Sequence, residues 1–175
     1  IDESAPKGRM ILPQVQAIRD TLDADAACIV VKQTQLSALL TSLGRTPDLV
    51  VTDSQVFGLV SRIVPPEIPL TSFSILMARC KGFLEPAVRG AARLKTLKDG
   101  DRVLISEGCT HHRQCNDIGT VKLPGWLTRY TGAQLAFETS SGTGFPEDLS
   151  GFAAIVHCGG CMLSAREMRY RMKCA

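Results

Sequence analysis

The sequence predicts an α/β protein: two small Rossmann-like domains, each a parallel sheet with flanking helices. Three observations carry this. Helical and strand patterns alternate along the 175 residues. The strand runs are apolar throughout, as expected when both faces of a sheet are covered. Two groups of cysteine and histidine, Cys109-Thr-His111-His112 and His157-Cys158-Gly-Gly-Cys161, closely follow such runs. Open parallel sheets place their sites at that end of their strands.

Residues 1–9 are polar, contain Pro6 and Gly8, and read as a loop. From Ile11 to Leu22 the apolar positions Ile11, Leu12, Val15, Ile18 and Leu22 lie on one helical face. Pro13 suits the first turn, where its missing N–H is not needed. Cys28-Ile-Val-Val31 reads as a buried strand by its length and β-branching. Gln35 to Leu43 is helical, with Gly44 as its stop. Leu49-Val-Val51 is a second strand, and the following Thr52-Asp53-Ser54 is either a ligand-binding turn or a helix N-cap. Val56 to Ile63 is a short helix ended by Pro65-Pro66. Parallel strands joined in this way imply right-handed crossovers.

Pro69 to Lys81 is ambiguous, with a helix over Phe73 to Arg79 and a stop at Gly82. Leu84 to Leu97 has an amphipathic face of Val88, Ala91, Ala92 and Leu94. Arg102 to Ser106 is a strand leading to Glu107-Gly108-Cys109. Ile118 to Tyr130 is helical, with a kink or late start at Pro124. Gln134 to Glu138 and Phe152 to Val156 are further strands, separated by a loop rich in Gly, Ser and Pro. Ser164 to Lys173 opens with Ser164 as N-cap and Glu167 three residues on, a capping box. The boundary between the halves is placed near Gly82, giving domains 1–80 and 81–175.

Composition excludes several functions. Apolar residues make up 45%, enough for a folded core. The net charge of +3 is too small for a nucleic-acid footprint. No apolar run approaches the roughly 20 residues of a membrane span, so no membrane role is expected. No secretory signal opens the chain, so a cytoplasmic, reducing location is expected, with the seven cysteines free for metal or redox work. The opening Ile1-Asp-Glu-Ser has no initiator Met and reads as a fragment or a processed form. There is no G-x-x-x-x-G-K-S/T phosphate loop and no Ser-His-Asp pattern.

Cys109, Cys158 and Cys161 are the candidate metal ligands. The C-x-x-C spacing lets one tight loop offer two sulfurs to one centre, and Gly159 and Gly160 let the backbone turn its N–H groups toward a sulfur. Three thiolates suit a soft or borderline metal. His111, His112 or His157 would complete a Cys3His zinc site, whereas an iron–sulfur cluster can leave one iron open. A redox dithiol of Cys158 and Cys161 is the third alternative. Each histidine can equally serve behind the ligands as a hydrogen-bond donor. Cys115 reads as a spectator thiol, Cys28 as core strand, Cys80 as a buried helix end and Cys174 as a terminal surface thiol.

The arrangement Cys109-Thr-His111 followed by His157-Cys158-Gly-Gly-Cys161 resembles the C-x-H…H-C-x-x-C signature of HydF, the [FeFe]-hydrogenase maturation GTPase family. Ala5-Pro-Lys-Gly-Arg9, Ile11-Leu-Pro-Gln14, Val50-Val-Thr-Asp-Ser-Gln55, Ile105 to Cys115 and Asp117-Ile-Gly-Thr-Val-Lys-Leu-Pro124 are similar to that family too. The resemblance spans essentially the whole chain. It implies a dimerisation domain over 1–80 and a cluster-binding domain over 81–175, from a longer protein whose GTPase domain lies outside this sequence. It implies a [4Fe-4S] cluster on Cys109, Cys158 and Cys161, with a variable fourth ligand for which His111 and His157 are candidates. It also implies a homodimeric scaffold that receives a di-iron precursor from radical-SAM maturases and delivers it to apo-[FeFe]-hydrogenase.

Overall fold

Every strand pairing among the described residues is parallel, and the pairings form two separate sheets. The structure is a computed structural model that describes residues 1–2, 10–108 and 118–175. It divides into two units, Ile1–Leu76 and Met77–Ala175. The α/β class read from the sequence holds in both. The loop expected around Lys7 and Arg9 lies outside the described residues.

In the first unit α1 (Leu12–Asp23) carries Pro13 in its first turn, as expected. The helix is anchored by Gln14, which is almost fully buried. Its Nε2 donates to Asp53 Oδ1 at 3.1 Å, and its Oε1 accepts the Ile11 N–H at 3.1 Å. Asp53 Oδ2 accepts the Asp2 N–H at 2.8 Å. Asp53 stands at an N-cap position, but its carboxylate makes no cap bond and instead ties α1 to the end of the following strand. Next come α2 (Leu36–Ser42), β1 (Val50–Thr52), the single turn α3 (Phe57–Val60) and β2 (Leu70–Ser72). β1 and β2 pair in register from Val50 opposite Leu70 to Thr52 opposite Ser72. Leu36, Val60, Val64 and Ile68 form the core beneath them, joined by Val50 and Leu70 from the strands.

One expected strand is corrected. Residues 26–32, which include the Cys28–Val31 run, form neither helix nor strand, and the sheet's second strand is Leu70–Ser72. An apolar β-branched run becomes a strand only where an edge is there to pair with, and β1 pairs with β2. Cys28 is therefore exposed rather than in the core, and Ile29 is 59% exposed. The run is tied at its end by the Ile1 amino group to the Val31 carbonyl at 2.9 Å.

After β2 the chain continues directly into α4 (Phe73–Cys80), which resolves the ambiguous Pro69–Lys81 stretch as a short strand followed by a helix. Cys80 ends this helix as expected but is exposed rather than buried, because Met77 and Ala78 occupy its inner face. α5 (Leu84–Ala91) buries none of its residues, so its expected apolar face is open at Val88, while Leu94 and Leu97 beyond it pack inward.

The second sheet has the order β4-β3-β5, with β3 (Arg102–Glu107) central, β4 (Ala136–Ser141) on one side and β5 (Ala154–His157) on the other. All three were legible within about three residues, the usual uncertainty of element ends. β3 is buried from Val103 to Glu107. Val103, Leu97 and Leu127 form the core against one face, joined by Phe137, Ala154 and Val156. α6 (Leu123–Thr131) starts late, with Pro124 in its first turn, after a wide π-type turn over Ile118–Lys122. α7 (Ala165–Cys174) is capped by Ser164, whose Oγ accepts the Glu167 N–H at 3.1 Å. The reciprocal half of the expected capping box gives way to an ion pair, Arg171 Nε to Glu167 Oε1 at 2.8 Å. Cys174 is exposed, as expected. No described helix is long and apolar enough to cross a membrane.

Candidate metal centre

β3 and β5 run side by side with Ser106 opposite His157, so their C-terminal ends arrive together. The pairing continues one step past β5, where the Cys158 N–H donates to the Ser106 carbonyl at 3.0 Å. This sets the Cys158 sulfur against the end of β3. The Gly108 N–H donates to Cys158 Sγ at 3.0 Å, and the Gly160 N–H reaches the same sulfur at 3.4 Å. Hydrogen bonds to ligand sulfurs are one of the means by which proteins tune iron–sulfur sites.

Two glycines make the approach possible. A Cβ on Gly108 would lie 2.9 Å from Leu163 Cδ1 and 3.2 Å from Gly160 Cα. Gly160 has φ +59°, and a Cβ there would stand 2.5 Å from Met168 Sδ. The loop carrying Cys158 and Cys161 thus folds directly onto the end of β3 and onto α7. Its turn is closed by the Leu163 N–H to the Gly160 carbonyl at 2.9 Å.

Cys161 is partly buried. Burial raises its thiol pKa above the ordinary value and the neighbouring Cys158 adds to the rise; the Lys81 ammonium and the backbone N–H groups of Met162 and of Cys161 itself oppose it.

His157 has both ring nitrogens engaged. Arg171 Nη1 lies 3.2 Å from its Nε2, and its Nδ1 lies 2.7 Å from the Cys158 carbonyl. A guanidinium can only donate. Nε2 is therefore the acceptor, and the proton sits on Nδ1 and bonds the Cys158 carbonyl. Burial, the largest influence, holds this imidazole below its usual pKa; Arg171 acts in the same direction, while the bond to Cys158 and the Glu167 carboxylate oppose it. Arg171 is 1% exposed and also donates Nη2 to the Gly142 carbonyl at 2.6 Å, with its guanidinium 4.9 Å above the Phe145 ring. It fastens α7 to the loop after β4 and to the end of β5.

Of the sequence-predicted site residues, Cys158, Cys161 and His157 are brought together at the end of β5. Cys109, His111, His112 and Cys115 lie outside the described residues. Among the described residues no three metal-type donors converge. The donor set fits a soft metal nonetheless: two thiols share one tight loop, two amide donors reach the Cys158 sulfur, and the loop lies against Gly108, which directly precedes Cys109 in sequence.

Sequence reasoning misses three residues of this site. Gly108 reads as an ordinary loop glycine. Arg171 reads as one more cation on a basic helix, although its spacing from Glu167 marks an i,i+4 pair. Lys81 stands only as the end of an ambiguous stretch. Its Nζ donates to the carbonyls of Gly160, Cys161 (3.2 Å) and Leu163 (2.6 Å).

Residues 1–82 match the Hydrogen maturase F dimerization domain, and residues 85–175 match the Hydrogen maturase F tetramerization domain. None of the curated proteins compared matches the chain.

Proposed function

Since the chain belongs to the Hydrogen maturase F family and so takes part in hydrogenase maturation, we propose that it serves there as a scaffold and carrier whose second unit binds a [4Fe-4S] cluster. Cys158, Cys161 and Cys109 are the proposed ligands. The observation that carries this reading is the Cys158 sulfur, held between the Gly108 and Gly160 amides where β3 and β5 end together. When bound through three thiolates, the cluster offers one iron without a cysteine ligand, an exchangeable position suited to cargo that must arrive and leave.

The protein's own groups hold this arrangement. Gly108 and Gly160 admit the close approach and supply N–H donors. His157, with both nitrogens engaged, orients the Cys158 peptide rather than ligating iron. His111, two residues after Cys109, is the candidate for the open iron position or for contact with cargo. The cargo in this reading is the di-iron precursor of the hydrogenase active site, received from radical-SAM maturases and passed to apo-[FeFe]-hydrogenase. The family's dimerization and tetramerization domains assign self-association to both halves of the chain.

Iron and acid-labile sulfide analysis after anaerobic reconstitution tests the site. Wild-type protein should be brown and hold about four of each per chain. Cys158→Ala should lose most of both while keeping its secondary structure. Colourless protein with one zinc per chain would replace this reading with the Cys3His one.

A further inference from the structure

We propose that Lys81 is a positioning residue of the cysteine site: its ammonium group clamps the carbonyl ends of the two peptide units flanking Cys161 and so holds in place the loop that carries both cysteines. The proposal rests on the cluster reading above and adds to it the group that holds the loop of two ligands.

The backbone of Lys81 is fixed before its side chain reaches anything. α4 ends at Cys80, and Gly82 follows at φ +77°. The Phe83 N–H donates to the Ala78 carbonyl at 3.0 Å and the Gly82 N–H to the Arg79 carbonyl at 3.1 Å. This is the Schellman pair of bonds, with Lys81 as C-cap residue and Gly82 as the left-handed C′ residue. The apolar contact that accompanies such a cap is present too: Phe83 and Ala78 are buried together with Met168, and Leu163 packs against them. Leu163 and Met168 belong to the loop and helix that follow Cys161. The same cap that stops α4 therefore seats Lys81 over the cysteine loop.

An ammonium has three donors. Those of Lys81 meet three acceptors: the carbonyls of Gly160, Cys161 and Leu163. Its hydrogen-bonding capacity is filled by the loop, so it is not a lysine held in reserve for cargo. The Gly160 carbonyl belongs to the peptide whose N–H is that of Cys161, and the Cys161 carbonyl to the peptide whose N–H is that of Met162. Carbonyl and N–H point opposite ways in a planar trans peptide. Their N–H ends therefore face away from Lys81. A cation at the oxygen end of a peptide also polarises it and strengthens its N–H as a donor. Lys81 thus acts on the cysteine loop through its backbone, without touching a sulfur. The Leu163 N–H closes the turn on the Gly160 carbonyl, and Lys81 adds a bond to that carbonyl and one to the Cys161 carbonyl.

Two measurements test this. The first is hydrogen exchange of the segment from Cys158 to Leu163 in the cluster-free protein. Lys81→Met keeps the apolar stem and removes the charge. Its loop amides should exchange about tenfold faster, the equivalent of losing a charged hydrogen bond, while β3 amides keep their protection. The second is the midpoint potential of the reconstituted cluster, which should move to more negative values in Lys81→Met because a positive charge beside the site has been removed. Lys81→Arg, which retains the cation, should return both readings most of the way to wild type. If Lys81→Met does not fold, Lys81→Gln replaces it in both measurements. Unchanged loop exchange in the neutral variant overturns the clamp, whether or not iron is bound. An arginine variant as perturbed as the neutral one overturns charge as its agent. Wild-type protein that takes up no iron and sulfide, with loop exchange still accelerated in the neutral variant, overturns the cluster reading and supports the clamp.

Discussion

At the scale of single residues, the pairing of His157 with Arg171 links burial to pH. The arginine is desolvated and cannot give up its proton, so each of its contacts has to accept. One of them is the His157 Nε2, which must stay unprotonated for the bond to exist. The folded state therefore favours neutral imidazole, consistent with a pKa held below the usual value by burial and Arg171 against the Cys158 carbonyl and Glu167. The sign follows directly. With the folded pKa below the unfolded one, the unfolded chain binds the extra proton first. Stability is intact above the unfolded value of about 6.5 and is lost as pH falls from there through the folded value. Urea unfolding of cluster-free protein between about pH 7.5 and pH 5 should show a falling midpoint, and His157→Gln should flatten that fall. An equal slope in the variant would remove His157 as its source. None of this is visible in the sequence. Arg171 sits among the basic residues of a polar helix, and only the fold reveals that this one points inward.

At the scale of elements, the loop after β5 turns on a choice between two adjacent glycines. Gly159-Gly160 reads from sequence as a tight turn, but periodicity does not say where the left-handed residue falls. It falls on Gly160, whose missing Cβ also leaves room for Met168 Sδ. Gly160→Ala combines a left-handed alanine with overpacking, and should destabilise the protein by about 2 kcal/mol or more. Gly90, inside α5 with open space where a Cβ would stand, is the counter-case. The same substitution there should stabilise by about 0.5–1 kcal/mol. Chemical denaturation of the two variants checks the opposite signs; a Gly160→Ala protein as stable as wild type would remove the steric account of the loop. The second sheet was the legible part of the fold. Its strands are apolar runs bounded by turn residues, and the cysteines at the end of β5 lie where parallel sheets carry their sites. Cys28–Val31 presents the same local pattern without a pairing edge. Short-range pattern measures the wish to be covered and does not name the cover. Lys81 escaped for a related reason: the stop signal at Gly82 was readable, but the target of the capping residue's side chain, 79 residues further on, was not.

At the scale of the whole molecule, the match to dimerization and tetramerization domains gives the apolar surface exposed in each unit an expected occupant, a second copy of the chain. Residues 1–82 match a dimerization domain, and within them Ile29 and Val30 stand exposed side by side on a segment with no helical or sheet pairing of its own. Residues 85–175 match a tetramerization domain, and within them Trp126 and Tyr130 are exposed four residues apart, on one face of α6. Large apolar side chains grouped in this way mark association surfaces more often than scattered ones do. If the two faces serve two different contacts, they can be broken separately. A charge at Ile29→Asp with Val30→Asp should abolish the contact of the first unit, since burying an unpaired carboxylate outweighs what the lost apolar contact gave. Trp126→Ser with Tyr130→Ser should remove the second contact and leave dimers, because aromatic anchors carry much of the energy of such interfaces. Light scattering at micromolar concentration reads the masses. Tetramers from wild type, dimers from either double variant and monomers from the two combined are expected. A tetramer that survives the Ile29 and Val30 changes would return that segment to the status of an unpaired surface run and move the dimer contact elsewhere on the first unit.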